Sequence, residues 1–355
     1  MKKVYVILLN YNGWIDTVEC LESVFRNDYP NYQVIVVDND SPNNSMEYLK
    51  AWAEGKLDVF ANPNNPLRNL SFPPVPKPIP YIYYTREEAE KGGSPELEEE
   101  LKNKMPKDIT SKYPIVFIQS GGNLGFAGGN NVGIKYSLAR GDSDYVLLLN
   151  NDTVVEKKFL TELMKITNIR TNVAIIGGKI LYYNYPNKIW YAGGKLDLWR
   201  GSGYHLNADK KDSELYGIKE VSFVTGCLML VDKKVFNYIG LFSEEYFLYL
   251  EDTDFCHSAL QKGFKLYVNL NSKIYHKISS TVSGNQEVSP MAIYYSTRNR
   301  LYFMMRRQKK WIRKCIFLGF FGITRLCHLI QWLLERKMGN IKAMFSGIKD
   351  GYKKD

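Results

Sequence analysis

Short apolar runs, each closing on a polar cluster, recur along the first half of the chain. Residues 4–9 run into Asn10-Tyr11-Asn12-Gly13, 33–37 into Asp38-Asn39-Asp40-Ser41, and 145–149 into Asn150-Asn151-Asp152-Thr153. Runs of strand length that are apolar throughout predict parallel strands buried on both faces, with their polar ends delivered to one sheet edge. Between the first two runs, residues 16–26 carry apolar positions at helical spacing (Val18, Leu21, Val24, Phe25) and stop at Asp28-Tyr29-Pro30. The chain thus opens as a βαβ unit. Further on, the pattern predicts a strand at 115–118, a helix at 158–167, a strand at 173–181 and a loop or hairpin at 191–203. A strand at 221–231, interrupted by Thr225-Gly226-Cys227, and short strands at 266–270 and 273–276 complete the sheet.

Two stretches break this rhythm. Residues 62–113 begin with seven prolines and continue with a Glu/Lys-rich piece that has little apolar stripe. An extended loop and an exposed helix are expected there, an insertion lying over the sheet and outside its core, either ordered over substrate or a passive surface addition. From residue 297 onward, 15 of the chain's 47 Lys+Arg stand against 3 of its 37 Asp+Glu. The net charge of +10 therefore resides in the tail, and the body is near neutral. A neutral body argues against nucleic acid as a partner; a basic tail rich in Trp, Phe and Leu points to an anionic membrane surface. Residues 315–334 are long enough to span a bilayer, but Arg325, His328 and Gln331 interrupt them at helical spacing. That stripe predicts a helix lying in the interface, or one packed on the body, and the two are compatible. Five cysteines without a CxxC pair suit a reducing, cytoplasmic compartment, and the first apolar run reads as a strand, too short for a signal peptide.

Candidate chemistry gathers at the polar ends of the strands. In open α/β sheets ligands bind outside the carboxyl ends, so Asp152, flanked by amides, suits a metal ion carrying phosphate oxygens, or else an Asx turn before a helix. Asp38 and Asn39 can hold a nucleotide base or ribose, or shape a turn. Residues 121–133 (GGNLGFAGGNNVG) are dense enough in glycine to let backbone approach a ligand, and run into a helix at 131–139 whose N-terminus favours anions. Glu251 and Asp252 lie among aromatic residues ahead of a helix, where carboxylates serve either as general bases with raised pKa or as electrostatic partners of the helix end. His276 closes the last strand as a metal ligand or a structural hydrogen-bonder.

In this order, NYNG, DND-S, GGNLGFAGGNNVG, LLLNNDT, TGC, EDTDF and His276 resemble the inverting glycosyltransferases of family 2, in particular their rhamnosyltransferase-like branch. The resemblance covers roughly residues 1–60 and 115–300. It implies a GT-A fold, a Rossmann-like, mixed and mostly parallel sheet flanked by helices, over residues 1–296 with the insertion at 62–113. It also implies a nucleotide-diphospho-sugar donor and a divalent cation, Mg²⁺ or Mn²⁺. Carried over by position, Asn10, Tyr11 and Asn12 line the nucleotide pocket, Asp38 and Asn39 hold base and ribose, and Asn123, Phe126, Asn130 and Asn151 line the donor cleft. Asp152 takes the last place of the family's DxD metal motif, with Asn150 in the first place, and His276 matches a metal or diphosphate contact. Asp252, beside Glu251, matches the general base.

The implied reaction is a single displacement with inversion, in which Asp252 takes the proton of an acceptor hydroxyl. The tail at 297–355 fits a glycan acceptor carried on a lipid, as in surface polysaccharide assembly, and a peripheral position on the cytoplasmic face of the membrane. Two other readings remain open. One is a nucleotide-sugar-binding module without catalysis, which Asn150 favours and the set Asp152, Glu251, Asp252 and His276 disfavours. The other is a nucleotidyltransferase, which would want a basic triphosphate loop where residues 10–16 have no Arg or Lys.

Overall fold

The computed structural model describes residues 1–169, 172–213, 215–277 and 288–352. Half of its sheet is parallel. Strands β1 (Val4–Asn10), β2 (Tyr32–Asp38), β3 (Tyr81–Thr85), β4 (Ile115–Gln119) and β5 (Tyr145–Asn150) lie in the order β5-β1-β2-β4-β3. Helices α1 (Trp14–Val24), α2 (Ser45–Ala53), α3 (Arg86–Glu90), α4 (Pro95–Lys102) and α5 (Gly125–Arg140) belong to the same half. The apolar core of β1 from Val4 to Leu8 is sealed from solvent between β2 and β5, as expected for strands covered on both faces. Helix α5 can lie close on β1 because Gly129 and Gly133 face Leu9 and Ile7, where a Cβ would come within 2.4 and 2.8 Å.

The other half is mixed. Strands β6 (Thr153–Val155), β7 (Val173–Tyr182), β8 (Tyr185–Tyr191), β9 (Gly194–Asp197), β10 (Ser202–His205), β11 (Ile218–Val221), β12 (Leu228–Asp232) and β13 (Lys265–His276) follow in the chain. They extend the sheet as β11-β13-β7-β12-β5, with β6 on β13, β8 on β7, and β9–β10 as a separate hairpin. Helices α6 (Phe159–Ile169), α7 (Lys233–Ile239) and α8 (Glu251–Gln261) accompany them. The run at 221–231 is not one strand: β11 ends at Val221, residues 222–227, with Thr225-Gly226-Cys227, lie between strands, and β12 starts at Leu228, whereas the two short strands expected at 266–276 form the single bulged β13.

The insertion at 62–113 departs from expectation. It supplies β3, which pairs in parallel with β4, so it completes the sheet instead of covering it. Its charged piece forms α3 and α4, and Glu98 turns inward to a 3% exposed position, accepting from Gln33 Nε2, Tyr84 OH and Tyr136 OH. Its proline-rich piece is tied to α1 by another buried carboxylate. Glu22 accepts from Trp52 Nε1 (2.9 Å), the Val75 N–H (2.7 Å) and Lys77 Nζ (2.7 Å). Composition marks such a segment as exposed, but hydroxyl, amide and cationic donors brought by other elements make these carboxylates tolerable inside.

The tail begins within a helix. α9 (Pro290–Tyr302) crosses the boundary expected at residue 297 and continues through a π-helical turn (Phe303–Arg307) into α10 (Trp311–Leu334) and α11 (Met338–Tyr352). The last three residues of the tail lie outside the described residues. Of the polar positions of α10, Gln331 faces solvent and donates to Glu335, but the other two turn toward the body. Arg325 donates to Thr297 Oγ1 of α9, His328 stacks on the buried Trp332, and Phe317 and Phe321 are buried on the same side. The outer side exposes Ile312, Ile316, Ile323, Leu326, Ile330 and Leu333.

Replacing Glu22 by Ala removes the shared acceptor and leaves the largely buried Lys77 ammonium without its carboxylate. A loss of about 3 kcal/mol of unfolding free energy is expected, read from urea denaturation.

Candidate functional site

The register of the parallel strands builds the site. Asn10 pairs with Asp38 across β1 and β2, and Leu9 with Asn150 across β1 and β5, so the three polar clusters finish level at one edge. Asn10 is fully buried there. Its Nδ2 donates to Asp38 Oδ1 (2.6 Å) and Ser41 Oγ (3.2 Å), and its Oδ1 accepts from Thr17 Oγ1 (2.9 Å). Asp38, also buried, accepts further from the Ser41 hydroxyl and N–H. These two residues form a buried floor to the strand edge; Tyr11, half exposed, and Asn12, in the left-handed region at φ 59°, border it. Asn151 donates to Thr17 Oγ1 (2.9 Å), which fastens the end of β5 to the first turn of α1.

A second group of amides joins β2 to the glycine-rich segment. Asn39 Nδ2 donates to Asn123 Oδ1 and to the Gly125 carbonyl, and its Oδ1 accepts from the Leu124 N–H. The helix expected at 131–139 starts earlier, at Gly125, so Phe126 and Asn130 lie on its first turns. Its leading amides are not open to an anion. The Leu124, Gly125 and Phe126 N–H groups go to Asn39, Asn123 and the Phe247 carbonyl. Asn130 donates back to the Phe126 carbonyl.

The charged groups converge on the other side. β6 pairs with the end of β13, bringing Asp152 Oδ1 to 3.0 Å from His276 Nε2. Burial disfavours the charged imidazole, but the Cys227 sulfur and the Asp152 carboxylate outweigh it and carry His276 up to about 10. Burial would raise Asp152 in turn, and His276 holds it below the ordinary carboxylate range. Asp152 Oδ1 is taken up by that pairing, whereas His276 Nδ1 is buried without a hydrogen-bond partner. A carboxylate oxygen and an imidazole meeting at a sheet edge fit a divalent cation whose other ligands come from a bound diphosphate. Among the described residues no third His, Cys, Asp or Glu completes a protein-only cage. The following Lys277 points away, to Asp16 and the buried Glu19, which also accepts from Tyr183 OH and, from the insertion, Ser71 Oγ.

Asp252 lies in the first turn of α8, half-buried. Its Oδ2 accepts from the Gly226 N–H (3.1 Å) and its Oδ1 from the Thr253 N–H (2.7 Å). Gly226 is confined between that carboxylate and the Phe126 ring, which a Cβ would approach to 3.1 Å. What comes close to this glycine is protein, the Phe126 ring and the Asp252 side chain. Burial raises the Asp252 pKa against those hydrogen bonds. Glu251, 6% exposed and with Oε2 unpartnered, is pushed well above the carboxylate range by burial and then by the Asp252 charge. Sequence reasoning missed Ser41 and Thr17 as partners of the floor, and Cys227, within electrostatic reach of His276, Asp152 and Asp252. It also missed Trp190, whose ring stands edge-on to His276 with centroids 4.7 Å apart.

Residues 145–345 match the family described as Glycosyl transferase family group 2, and residues 5–69 match Glycosyl transferase family 2. The low-salt glycan biosynthesis hexosyltransferase Agl10 of Haloferax volcanii is 33% identical over 237 residues, 67% of this chain and 75% of that protein. The dTDP-rhamnosyl transferase RfbF of Shigella flexneri is 25% identical over 212 residues, 58% of this chain and 67% of that one. Among solved structures, GalNAc-T7 with UDP, GalNAc and Mn²⁺ superposes with a TM-score of 0.55 at 13% identity, over 86% of this chain. The match spans about half (48%) of that longer chain. At that identity the likeness speaks for the fold, a GT-A-like mixed sheet flanked by helices.

Glu251 gives a test of the electrostatics. A carboxyl whose folded pKa is raised keeps its proton in the folded state after the unfolded chain has lost it, so stability falls as pH rises above the unfolded value. Glu251→Gln should match the wild type in Tm at acid pH, and its Tm should exceed the wild-type value increasingly as pH rises toward neutrality.

Proposed function

This chain belongs to glycosyltransferase family 2 and is a glycosyltransferase of glycan biosynthesis, and from that premise we propose the finer reaction: displacement of a nucleoside diphosphate from a sugar donor by an acceptor hydroxyl, with inversion at the anomeric carbon. The observation that carries it is Asp252. Its two oxygens are fixed by backbone N–H groups of Gly226 and Thr253, which sets its rotamer, and burial raises its basicity. A base with a raised pKa in a fixed orientation suits removal of a hydroxyl proton in step with attack on the anomeric carbon. Glu251, kept neutral by burial, adds no second negative charge beside the base.

The donor would lie along the level strand ends. Its nucleoside would meet the Asn12 and Tyr11 rim over the Asn10–Asp38 floor, and its sugar would meet the face formed by Phe126 and Asn130. Asp152 and His276 are the residues that would hold Mg²⁺ or Mn²⁺, which when bound neutralises charge on the departing diphosphate. The name of the Shigella relative favours a rhamnosyl donor, and that of the Haloferax relative a hexose more broadly.

The acceptor is a glycan, and the tail supports a lipid-linked one. Helix α10 is long and apolar enough to cross a bilayer, but its inner side is packed on α9 through Arg325 and Thr297, which favours a helix lying beside the body. It suits a position in the plane of the interface. Its outer face is apolar, and Arg306, Arg307, Lys309, Lys310, Arg313 and Lys314 precede or open it, a charge pattern complementary to anionic lipid. These features support a position at the membrane periphery, on the cytoplasmic side where nucleotide-activated donors are found.

The deciding experiment incubates the purified chain with a panel of nucleotide sugars, Mg²⁺ or Mn²⁺ and lipid-linked acceptors, and follows release of nucleoside diphosphate. Release from one donor is expected, with Asp252→Asn lowering kcat by about 10²- to 10⁴-fold at unchanged donor KM. Because the base acts only when deprotonated, activity should fall as pH drops through a pKa above the ordinary carboxylate range. Tight nucleotide binding without turnover of any donor would leave a binding module instead. For the tail, co-sedimentation with anionic vesicles is expected, weakened by salt and by Ile316→Glu with Ile323→Glu; equal recovery with neutral vesicles at high salt would contradict the charge argument.

A further inference from the structure

The turn that delivers Asp252 is held from outside the sheet. Between Tyr246 and Glu251 the backbone passes through three non-glycine residues in the left-handed region, Phe247 (φ 59°), Tyr249 (φ 69°) and Leu250 (φ 70°). Side chains with a Cβ disfavour that region, so the turn keeps its shape only where its surroundings impose it. What imposes it here is mostly one amide of α9. Asn299 is fully buried, and its Nδ2 donates to the carbonyls of Tyr246 (2.9 Å), Leu248 (2.8 Å) and Tyr249 (2.9 Å). An NH₂ group has two hydrogens, so three carbonyls have been turned to converge on one nitrogen. The amide is itself oriented: Asn299 Oδ1 accepts from Arg298, whose guanidinium also donates to the Glu245 carbonyl.

The neighbours of the turn close the remaining directions. The Phe247 ring stacks on Tyr295 of α9 with centroids 5.1 Å apart, and its carbonyl accepts from the Phe126 N–H on the donor side. Gly125, at φ 68°, has no room for a Cβ, which would stand 2.3 Å from that carbonyl. Two residues beyond Asp252, the buried Asp254 takes Nε and a terminal nitrogen of Arg307 at 3.1 and 2.9 Å. The segment 298–307 thus grips the turn on one side of Asp252 and the helix on the other, while Gly226 and Phe126 face it across the cleft.

We propose that Asn299 is a positioning residue for the catalytic base: by fixing the carbonyls of 246–249 it starts α8 at Glu251 and holds the Asp252 carboxylate in register with the Gly226 N–H. Arg307 supports the same turn through Asp254. This rests on the reading of Asp252 as the base. It makes the C-terminal helices part of the active site, in addition to any role at a membrane.

The test uses the full chain with Asn299→Ser, which keeps a small polar side chain too short to reach the three carbonyls. Donor turnover, nucleoside diphosphate affinity by calorimetry and Tm are measured together. Loss of about 10²-fold in kcat is expected, with KM for donor and nucleotide affinity within about 3-fold of wild type, since a base displaced by an ångström fails in the transition state and not in binding. The acid limb of the pH–rate profile should move as well, because the displaced carboxylate loses the Gly226 N–H that lowers its pKa. A folded Asn299→Ser enzyme with wild-type kcat overturns the proposal, as does an equal loss of kcat and nucleotide affinity. Should that variant not fold, Arg307→Gln is judged by the same criteria. A wild type that turns over no donor overturns the functional reading and this inference with it; a working wild type beside an equally active variant overturns this inference alone.

Discussion

The constraint on which the site depends is that strands β1, β2 and β5 end at the same level. Parallel register is a backbone property, fixed by hydrogen bonds between apolar runs that cannot slip without carrying buried side chains to the wrong face. Because Asn10 stands beside Asp38 in that register, an amide can neutralise the hydrogen-bonding demand of a carboxylate that is almost fully buried. Thr17 and Asn151 extend the arrangement to α1 and the end of β5. That floor is therefore part of the core.

The second half of the site follows a different logic. Asp152, His276, Cys227, Glu251 and Asp252 come from the antiparallel additions and the helix beyond them, and they sit close enough to shift one another. Here burial and charge oppose each other at each group. Asp152 and His276 settle the conflict by pairing, Glu251 by remaining neutral, and Asp252 by accepting two backbone N–H bonds. Three solutions to one electrostatic problem leave a single carboxylate both basic and oriented.

Much of the edge was legible in the sequence because apolar runs ending in Asn and Asp announce themselves locally. The run at 145–149 with Asp152 behind it, the break at Gly226 and a helix close after Glu251 and Asp252 all follow from patterns a few residues long, although that helix takes both carboxylates into its first turn instead of starting behind them. What could not be read was which polar residues would face inward. Glu22 and Glu98 look like surface charges in the sequence, and only the arrival of Trp52, Lys77, Tyr84 and Tyr136 from other elements makes them core. Arg325 and His328 announced a polar side of α10, but periodicity identifies a side without saying what packs on it. Asn299 left no trace at all: one amide in a helix, whose three partners lie some fifty residues away.

The inward turn of Arg325 also sets a geometry. Since α9 bonds at Thr297 to α10 and at Asn299 to the turn before Asp252, the apolar outer side of α10 and the cleft are attached to the same short stretch of one helix. No flexible linker separates them among the described residues. The elevation and tilt of the Asp252 turn above any plane on which that side rests are then set by those two contacts. On the proposed reaction with a lipid-linked acceptor, that acceptor would be selected by how far its hydroxyl projects from that plane as well as by what sugar carries it.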